Sequence, residues 1–404
     1  MKLLLSMLAA TAAAAELAPV ISYMSPNLVL EGEYIVKLRS DVELPRVRSV
    51  LAEKQIPVEK LVSIGKSFKA FHGSLTDAQL EVVQRLPFVE FVEKDAIATA
   101  LGVQHCGSDC SWGLDRSDQE QLPLDGKYYY SDAGGKDVDV YLWCDTGINT
   151  NHVDLGGRAV YGAAFPPSTS FPDTDCNGHG THVAGTVGSE HYGIAKKANL
   201  IGIKVLSCFG SGAFSAIING VEYVTQQHEK SGKAFSVSNM SLSGGRHAAL
   251  NAAVDASSAA GVVHVVAAGN SRGNACNLSP AGADTAFTVG ASDSNDRLAS
   301  FSEKGPCVDI QAPGVNIQSL SHMPYRNPHD VPTDTKVASG TSMASPHVAG
   351  AVAVKLSEQC SRGIKSCPFA SVEEVVQAVV ADGIVDAVPT PSDTTSTLLY
   401  IPPN

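Results

Sequence analysis

Three residues of complementary chemistry stand in three glycine-rich runs. They are Asp145 in VYLWCDTGI (140–148), His179 in GHGTHVAG (178–185) and Ser342 in SGTSMASPHVAG (339–350). A neutral serine hydroxyl is a poor nucleophile and needs a base within hydrogen-bond reach. Histidine fills that role near neutral pH, and a buried carboxylate fixes its tautomer and steadies the imidazolium. One residue of each kind is present, which is the set an acyl-transfer triad requires. The tetrahedral intermediate also needs donors for its oxyanion. Asn270 ends the apolar run Val265–Gly269 in a polar amide, and the backbone N–H of Ser342 at a helix start offers a second donor. His179 and His182 fall at i, i+3, but no HExxH run or suitably spaced carboxylate makes them a metal pair. His182 and His347 are read as structural residues packed within their helices.

The elements around these runs alternate between strand and helix. Strands are expected at Val138–Cys144, Leu200–Leu206, Phe235–Leu242, Val262–Ala268 and Ala286–Ala291. Helices are expected at Ala213–Gln227, where Ile217, Val221 and Val224 share a face, and near His247–Ala259. Such alternation predicts an α/β fold with a parallel sheet covered on both faces, its site beyond the carboxyl ends of the strands. Pro346 is tolerated in the helix of Ser342 only close to its first turn.

Residues 16–100 read as a separate small α+β unit. Glu33–Leu38 and Val89–Val92 have strand patterns, and Val47 and Leu51 share a helix face. Thr76 and Gln79 form a capping-box pattern ahead of Leu80, Val83 and Leu86. Before this unit, MKLLLSMLAATAAAA combines a lysine, an apolar run and small residues at Ala13 and Ala15, the pattern of a secretory leader cut after Ala15. The expected division is a 1–15 signal peptide, a small unit at 16–100 and a larger domain at 101–404. An extracellular or vacuolar location follows, with no membrane span.

The order Asp–His–Ser, with its three flanking runs, resembles the subtilisin superfamily of serine peptidases and above all its proteinase K and aqualysin-type branch. Trp112-Gly113-Leu114-Asp115-Arg116, Gly210-Ser211-Gly212, Asn277–Ala281 and Leu398-Leu399-Tyr400 extend the likeness to nearly the whole chain. Residues 34–95 are similar to the ferredoxin-like inhibitor propeptide, which implies autocatalytic removal with a cut near Ala100–Leu101. The resemblance implies that Gly210, Ser211 and Gly212 pair with extended substrate. It also implies that Ser241, Leu242, Ser243, Gly244, Ala267, Ala268 and Gly269 wall the specificity pocket. Broad endopeptidase activity is therefore expected, favouring apolar or aromatic side chains before the scissile bond. Ser243 stands where the family usually has glycine, and Trp143-Cys144 replaces the usual aliphatic pair before the acid.

Nine cysteines are present. The resemblance implies the bridges Cys176–Cys208 and Cys276–Cys307. Proximity suggests Cys360–Cys367 as a third and Cys106–Cys110 as a fourth, leaving Cys144 as a small buried hydrophobe. Asp115, Asp118 and Gln119 match one calcium site of the branch, and Asp309 matches a ligand of another. These oxygen donors suit a structural Ca²⁺, while catalysis needs no cofactor. Asn239 and Asn277 begin sequons, but neither the strand around Asn239 nor the proline after Asn277 favours glycosylation.

The net charge is −12. From residue 101 onward 18 Lys+Arg face 29 Asp+Glu, a net of −11. No basic cluster tracks a phosphate backbone, which argues against a nucleic-acid partner. The expected partners are protein and peptide substrates and the chain's own propeptide, on a monomeric enzyme.

Overall fold

Apolar runs rich in Val, Ile and Ala between residues 139 and 313 form one seven-stranded parallel sheet. Its order is Ile310–Pro313, Phe287–Ser292, Val262–Ala267, Ser236–Met240, Asp139–Leu142, Asn199–Lys204, Ala159–Ala164. The structure is a computed structural model that describes residues 17–21, 29–100, 103–104, 111–130, 134–143, 146–165, 174–322, 334–360 and 367–402. The leader at 1–15, Cys106, Cys110, Cys144 and Asp145 lie outside the described residues.

Every residue of Ser236–Met240, Val262–Ala267 and Phe287–Ser292 is buried, as strands covered on both faces must be. One face packs against helices His179–Gly188 and Thr341–Cys360 through Val183, Val187, Val348 and Val352. The other packs against Phe214–Ser231 and Ala248–Ser258 through Ile217, Val221, Leu250 and Val254. This is the expected α/β architecture. Among the described residues no helix is long and apolar enough to cross a membrane.

Three strand assignments change in instructive ways. The run Phe235–Leu242 is not one strand, because it divides after Met240. Ser236–Met240 stays in the parallel sheet, while Leu242–Gly245 turns away into a second, eight-stranded sheet. The run Val89–Val92 continues as one strand to Ala100. That length lets it begin in the N-terminal unit and end against Leu242–Gly245. The strand leading to Asp145 is shorter than expected, Asp139–Leu142.

The N-terminal unit is an antiparallel sheet in the order Val89–Ala100, Val29–Leu38, Phe68–Ser74, Lys60–Ile64. Helices Leu44–Glu53 and Asp77–Gln84 complete the ferredoxin-like arrangement, and Val36, Leu38, Val47, Leu51, Phe71, Val83 and Val92 form a core of their own. The expected capping box is present. Gln79 N–H donates to Thr76 Oγ1 at 3.3 Å, and Thr76 N–H donates to Gln79 Oε1 at 3.0 Å. The unit does not stand free, since Val62, Ile64 and Phe68 share a core with Ile217, Val221 and Val254 of the larger domain.

Candidate active site

Ser342 is the second residue of helix Thr341–Cys360 and is fully buried. Its hydroxyl donates to the carbonyl of Ser241 at 3.2 Å. The converse bond also forms, because Ser241 Oγ donates to the Ser342 carbonyl at 2.9 Å. Pro346 explains the second bond. It has no N–H to offer the carbonyl four residues earlier, so a hydroxyl from the groove wall takes that place. Asn239 Nδ2 in turn donates to Ser241 Oγ at 2.8 Å.

Asn270 follows a left-handed glycine, Gly269 at φ 117°. Its Oδ1 accepts from both the N–H and the hydroxyl of Thr341, each at 2.9 Å. With the oxygen so engaged, the amide's NH₂ is the end left to meet a substrate oxygen. Thr341 Oγ1 also accepts from Gly269 N–H at 3.1 Å. The pairing of Asn270 with Thr341 was not evident from sequence.

His179 is the first residue of its helix, after Gly178 in the left-handed region at φ 96°. The helix start is organised by a residue that sequence reading passed over, Asp175. Its carboxylate is buried and accepts from the amides of Asn177 (2.9 Å), Gly178 (2.7 Å) and Thr181 (2.9 Å). It also accepts from the hydroxyls of Thr181 (2.6 Å) and Thr146 (2.8 Å). Burial pulls this acid upward, but the Thr181 hydroxyl and the surrounding amides outweigh it and hold the group below the ordinary carboxylate value. The run Asp-Cys-Asn-Gly-His held the signal, since aspartate commonly accepts from amides two and more residues on. Asp145 itself lies outside the described residues. Both of its flanks are fixed, however: Thr146 to Asp175, and Trp143 N–H to the Asn239 carbonyl at 3.0 Å.

Trp143 is fully buried, its indole N–H donating to Ser238 Oγ at 2.6 Å. Gly220 makes room for the ring, because a Cβ there would lie 2.7 Å from it. His182 and His347 are also fully buried and pushed by burial down to about 3 and 4, as structural neutral imidazoles would be.

The strand Val89–Ala100 ends between two short edges. Ser211, Gly212 and Ala213 pair antiparallel with Thr99, Ala98 and Ile97. Leu242 and Ser243 pair antiparallel with Ala100 and Thr99. Gly210 turns into the first edge at φ 74°, and Gly212 must lack a side chain because a Cβ would meet the Val205 carbonyl. Gly244 likewise lies against the Phe214 ring, while Ala267 and Ala268 are buried at the end of the neighbouring strand. Beyond the gap, Val103 and Gln104 pair with Ser339 and Ala338, just before Thr341 and Ser342.

Three disulfides are formed, Cys176–Cys208, Cys276–Cys307 and Cys360–Cys367. The first joins the loop before His179 to the turn before Gly210. Among the described residues no three or more His, Cys, Asp or Glu converge as a metal set. Asp115 and Asp118 nevertheless each keep one buried carboxylate oxygen without a partner. Their other oxygens accept from Gly126 N–H at 2.8 Å and from Tyr129 N–H. Burial raises both acids, Asp118 to about 6, which is the behaviour of carboxylates that fit a cation. Gln119 does not add its side-chain oxygen freely, because Asp125 N–H donates to it at 3.0 Å. Asp309 stands apart, accepting from Thr288 N–H at 2.7 Å and pushed by burial up to about 6.

A parallel α/β sheet with a serine and a histidine at two helix starts and a directed amide beside the serine defines the class of serine hydrolases. Residues 142–383 match the Subtilase family, and the chain belongs to it. It is 44% identical over 311 residues to cerevisin of Saccharomyces cerevisiae, covering 75% of this chain and 47% of that protein. It is 44% identical over 298 residues to alkaline serine exoprotease A of Vibrio alginolyticus, covering 73% and 53%. It also resembles the crystal structure of a cold-adapted subtilisin-like serine proteinase, with 42% identity, a TM-score of 0.64, and coverage of 73% of this chain and 99% of that one. The chain spans about half the length of those two curated relatives.

Proposed function

We propose that this chain is the precursor of a secreted or vacuolar serine endopeptidase of the proteinase K and aqualysin-type branch, with residues 16–100 as its inhibitor propeptide. The observation that carries the reading is the pairing of 97–100 and of 103–104. The first pairs with Ser211–Ala213 and Leu242–Ser243 on one side of Ser342, and the second with Ala338–Ser339 on the other. An extended peptide held by main-chain bonds on two such edges is the way a protease grips the chain it cuts, which supports reading this segment as the processing site. On this reading the N-terminal unit fills the groove as a substrate would and blocks it until that site is cut.

In this mechanism Ser342 Oγ attacks the carbonyl carbon while His179 takes its proton and Asp145 orients the imidazole. The oxyanion is met by Asn270 Nδ2 and the Ser342 N–H. Collapse expels the amine, which receives the proton from His179, and water then repeats the sequence to free the acyl group. Main-chain pairing along Gly210–Gly212 and Ser241–Gly244 gives broad recognition, and the apolar wall of Leu242, Ala267 and Ala268 favours apolar or aromatic side chains before the cut. No catalytic cofactor is required. Asp115 and Asp118, and separately Asp309, would hold structural Ca²⁺, which neutralises buried carboxylates and takes no part in the reaction. The active form is read as a monomer.

The test is the mass of the secreted protein, wild type beside Ser342→Ala. Loss of the N-terminal segment in the wild type, with covalent retention in the variant, supports self-processing by this site. If both emerge uncut, the chain is a binding scaffold and the proposal fails; if both are cut alike, maturation is the work of another protease.

A further inference from the structure

The loop that carries Asn270 is closed around one side chain. Glu303 is 2% exposed. Its N–H donates to the Gly269 carbonyl at 2.9 Å, and its Oε1 accepts from Ser271 N–H at 3.1 Å. The Gly273 amide also lies against the carboxylate. The two glycines explain how the loop comes so close. A Cβ on Gly269 would lie 2.6 Å from Glu303 Cγ, and one on Gly273 would lie 2.9 Å from Oε2. Lys304 continues the closure, donating its N–H to the Gly273 carbonyl at 3.0 Å and accepting from Ala275 N–H at 2.8 Å.

Asn270 is therefore held from two sides. Thr341 grips the side-chain oxygen, and Glu303 grips the backbone on either side of the residue. A buried carboxylate is an expensive choice for a loop staple, since desolvation raises it well before any partner compensates. Its Oε1 nonetheless reaches the amide hydrogen of Ser271, next to one oxyanion donor, and a loop of this shape has no other acceptor for Ser271 N–H among the described contacts.

We propose that Glu303 is a positioning residue for peptide hydrolysis, its carboxylate fixing the Gly269–Gly273 loop so that the Asn270 amide points at the oxyanion. This rests on the oxyanion role given above to Asn270. Such a residue acts on the transition state more than on substrate binding, because its described hydrogen bonds are to the Gly269–Gly273 loop and not to the paired edges Ser211–Ala213 and Leu242–Ser243. A displacement of the amide by about 1 Å is enough to cost on the order of 10²-fold in rate.

The experiment compares Glu303→Ala, Glu303→Gln and Asn270→Ala in matured enzyme, with competent sites counted by an irreversible fluorophosphonate. Steady-state constants on a peptide anilide are measured beside affinity for a peptide boronic acid, which becomes tetrahedral on Ser342, and for the matching peptide alcohol, which only fills the groove. Glu303→Ala is expected to lower kcat and boronic-acid affinity together by about 10- to 100-fold, with KM and alcohol affinity unchanged. Glu303→Gln keeps an oxygen acceptor for Ser271 N–H and is expected to recover most of the loss. An unchanged kcat in Glu303→Ala, or equal loss of both ligands, overturns the proposal. So does a defect that glutamine fails to rescue. If Glu303→Ala does not mature, the glutamine variant and Glu303→Asp, which keeps the charge but shortens its reach, carry the same comparison. An unchanged kcat in Asn270→Ala sinks the oxyanion reading itself; loss there without loss in Glu303→Ala sinks only the positioning role.

Discussion

Glu93 and His247 lie 3.1 Å apart and are each 1% exposed, although one belongs to the N-terminal unit and the other to the large domain. Glu93 also accepts from the amides of Ala248 (2.6 Å) and Ala249 at the start of helix Ala248–Ser258. Nearby, Asp95 accepts from Ser215 N–H at 3.1 Å in the first turn of Phe214–Ser231. Two carboxylates of one strand thus cap two helices of the domain they cover, where the helix dipoles favour negative charge.

With the N-terminal unit read as the inhibitor proposed above, that contact predicts how inhibition depends on pH. Burial pushes Glu93 up to about 8, against the two amides and Arg246, which favour its charged form; Asp95 adds to the upward push. Burial pushes His247 down to about 3, so it stays neutral. The carboxyl's value is raised in the complex, so its contribution is fully present below the ordinary glutamate value and is lost as pH rises through about 8. Inhibition by an added propeptide should weaken by about tenfold from pH 7 to pH 9. Glu93→Gln, always neutral, should hold its inhibition constant over that range. A wild-type constant that is flat or tightens at pH 9 would refute the assignment.

Asn270 invites a direct kinetic comparison. Its Oδ1 is occupied by Thr341, which leaves Nδ2 for the oxyanion. Asn270→Ala should lower kcat by roughly 10²–10³, the size known for such an amide in subtilisin, with little change in KM. Thr341→Ala, which leaves the amide in place but frees it to turn, should give a smaller loss of the same kind. An intact kcat in the first variant would require another donor.

The helix-start positions of His179 and Ser342 were legible beforehand, and the reasons are local. Asp145, His179 and Ser342 stand in runs whose glycines and small residues are dictated by tight turns and close helix packing, and such constraints are written next to the residue they serve. The capping box at Thr76 and Gln79 is local in the same sense. What escaped was long-range. Nothing near Glu303 in sequence says that residue 271 will close over it, and nothing near Glu93 announces a helix 155 residues later. The division after Met240 escaped for a related reason. An apolar run shows that a strand is buried, but it does not show which of two sheets will claim each half.

Asp175 should govern both stability and rate. Its five hydrogen bonds tie Thr146, beside Asp145, to the first turn of the helix that begins with His179. Its value is lowered in the folded protein, so its contribution is present above the ordinary aspartate value and is lost as pH falls through the lower, folded one. Asp175→Asn turns an acceptor toward donors and should destabilise by at least about 2 kcal/mol near neutral pH. The gap between wild type and variant should narrow only below about pH 4. Thermal denaturation across pH 3–8 would show this, and a gap independent of pH would mean that the carboxylate's charge is not what holds the loop.

Asp115 and Asp118 make the last case, because their unpartnered oxygens unfold the protein's acid chemistry into a metal question. Two buried carboxylates with raised values repel one another and lose hydration without return. A calcium ion held between them, as proposed above, would reverse both penalties and stabilise the conformation that holds it. At a hundredfold excess over its dissociation constant the ion adds about 2.7 kcal/mol. In a domain of this size that is several degrees of Tm, at roughly 2–4 °C per kcal/mol. EDTA should therefore lower Tm in the wild type by more than in Asp118→Asn, where only the separate Asp309 site is left to empty. Without calcium the variant should be the more stable of the two, since it no longer buries the second charge. A wild-type Tm indifferent to both EDTA and added calcium would return these carboxylates to plain loop scaffolding, with their amide bonds to Gly126 and Tyr129 as their whole role.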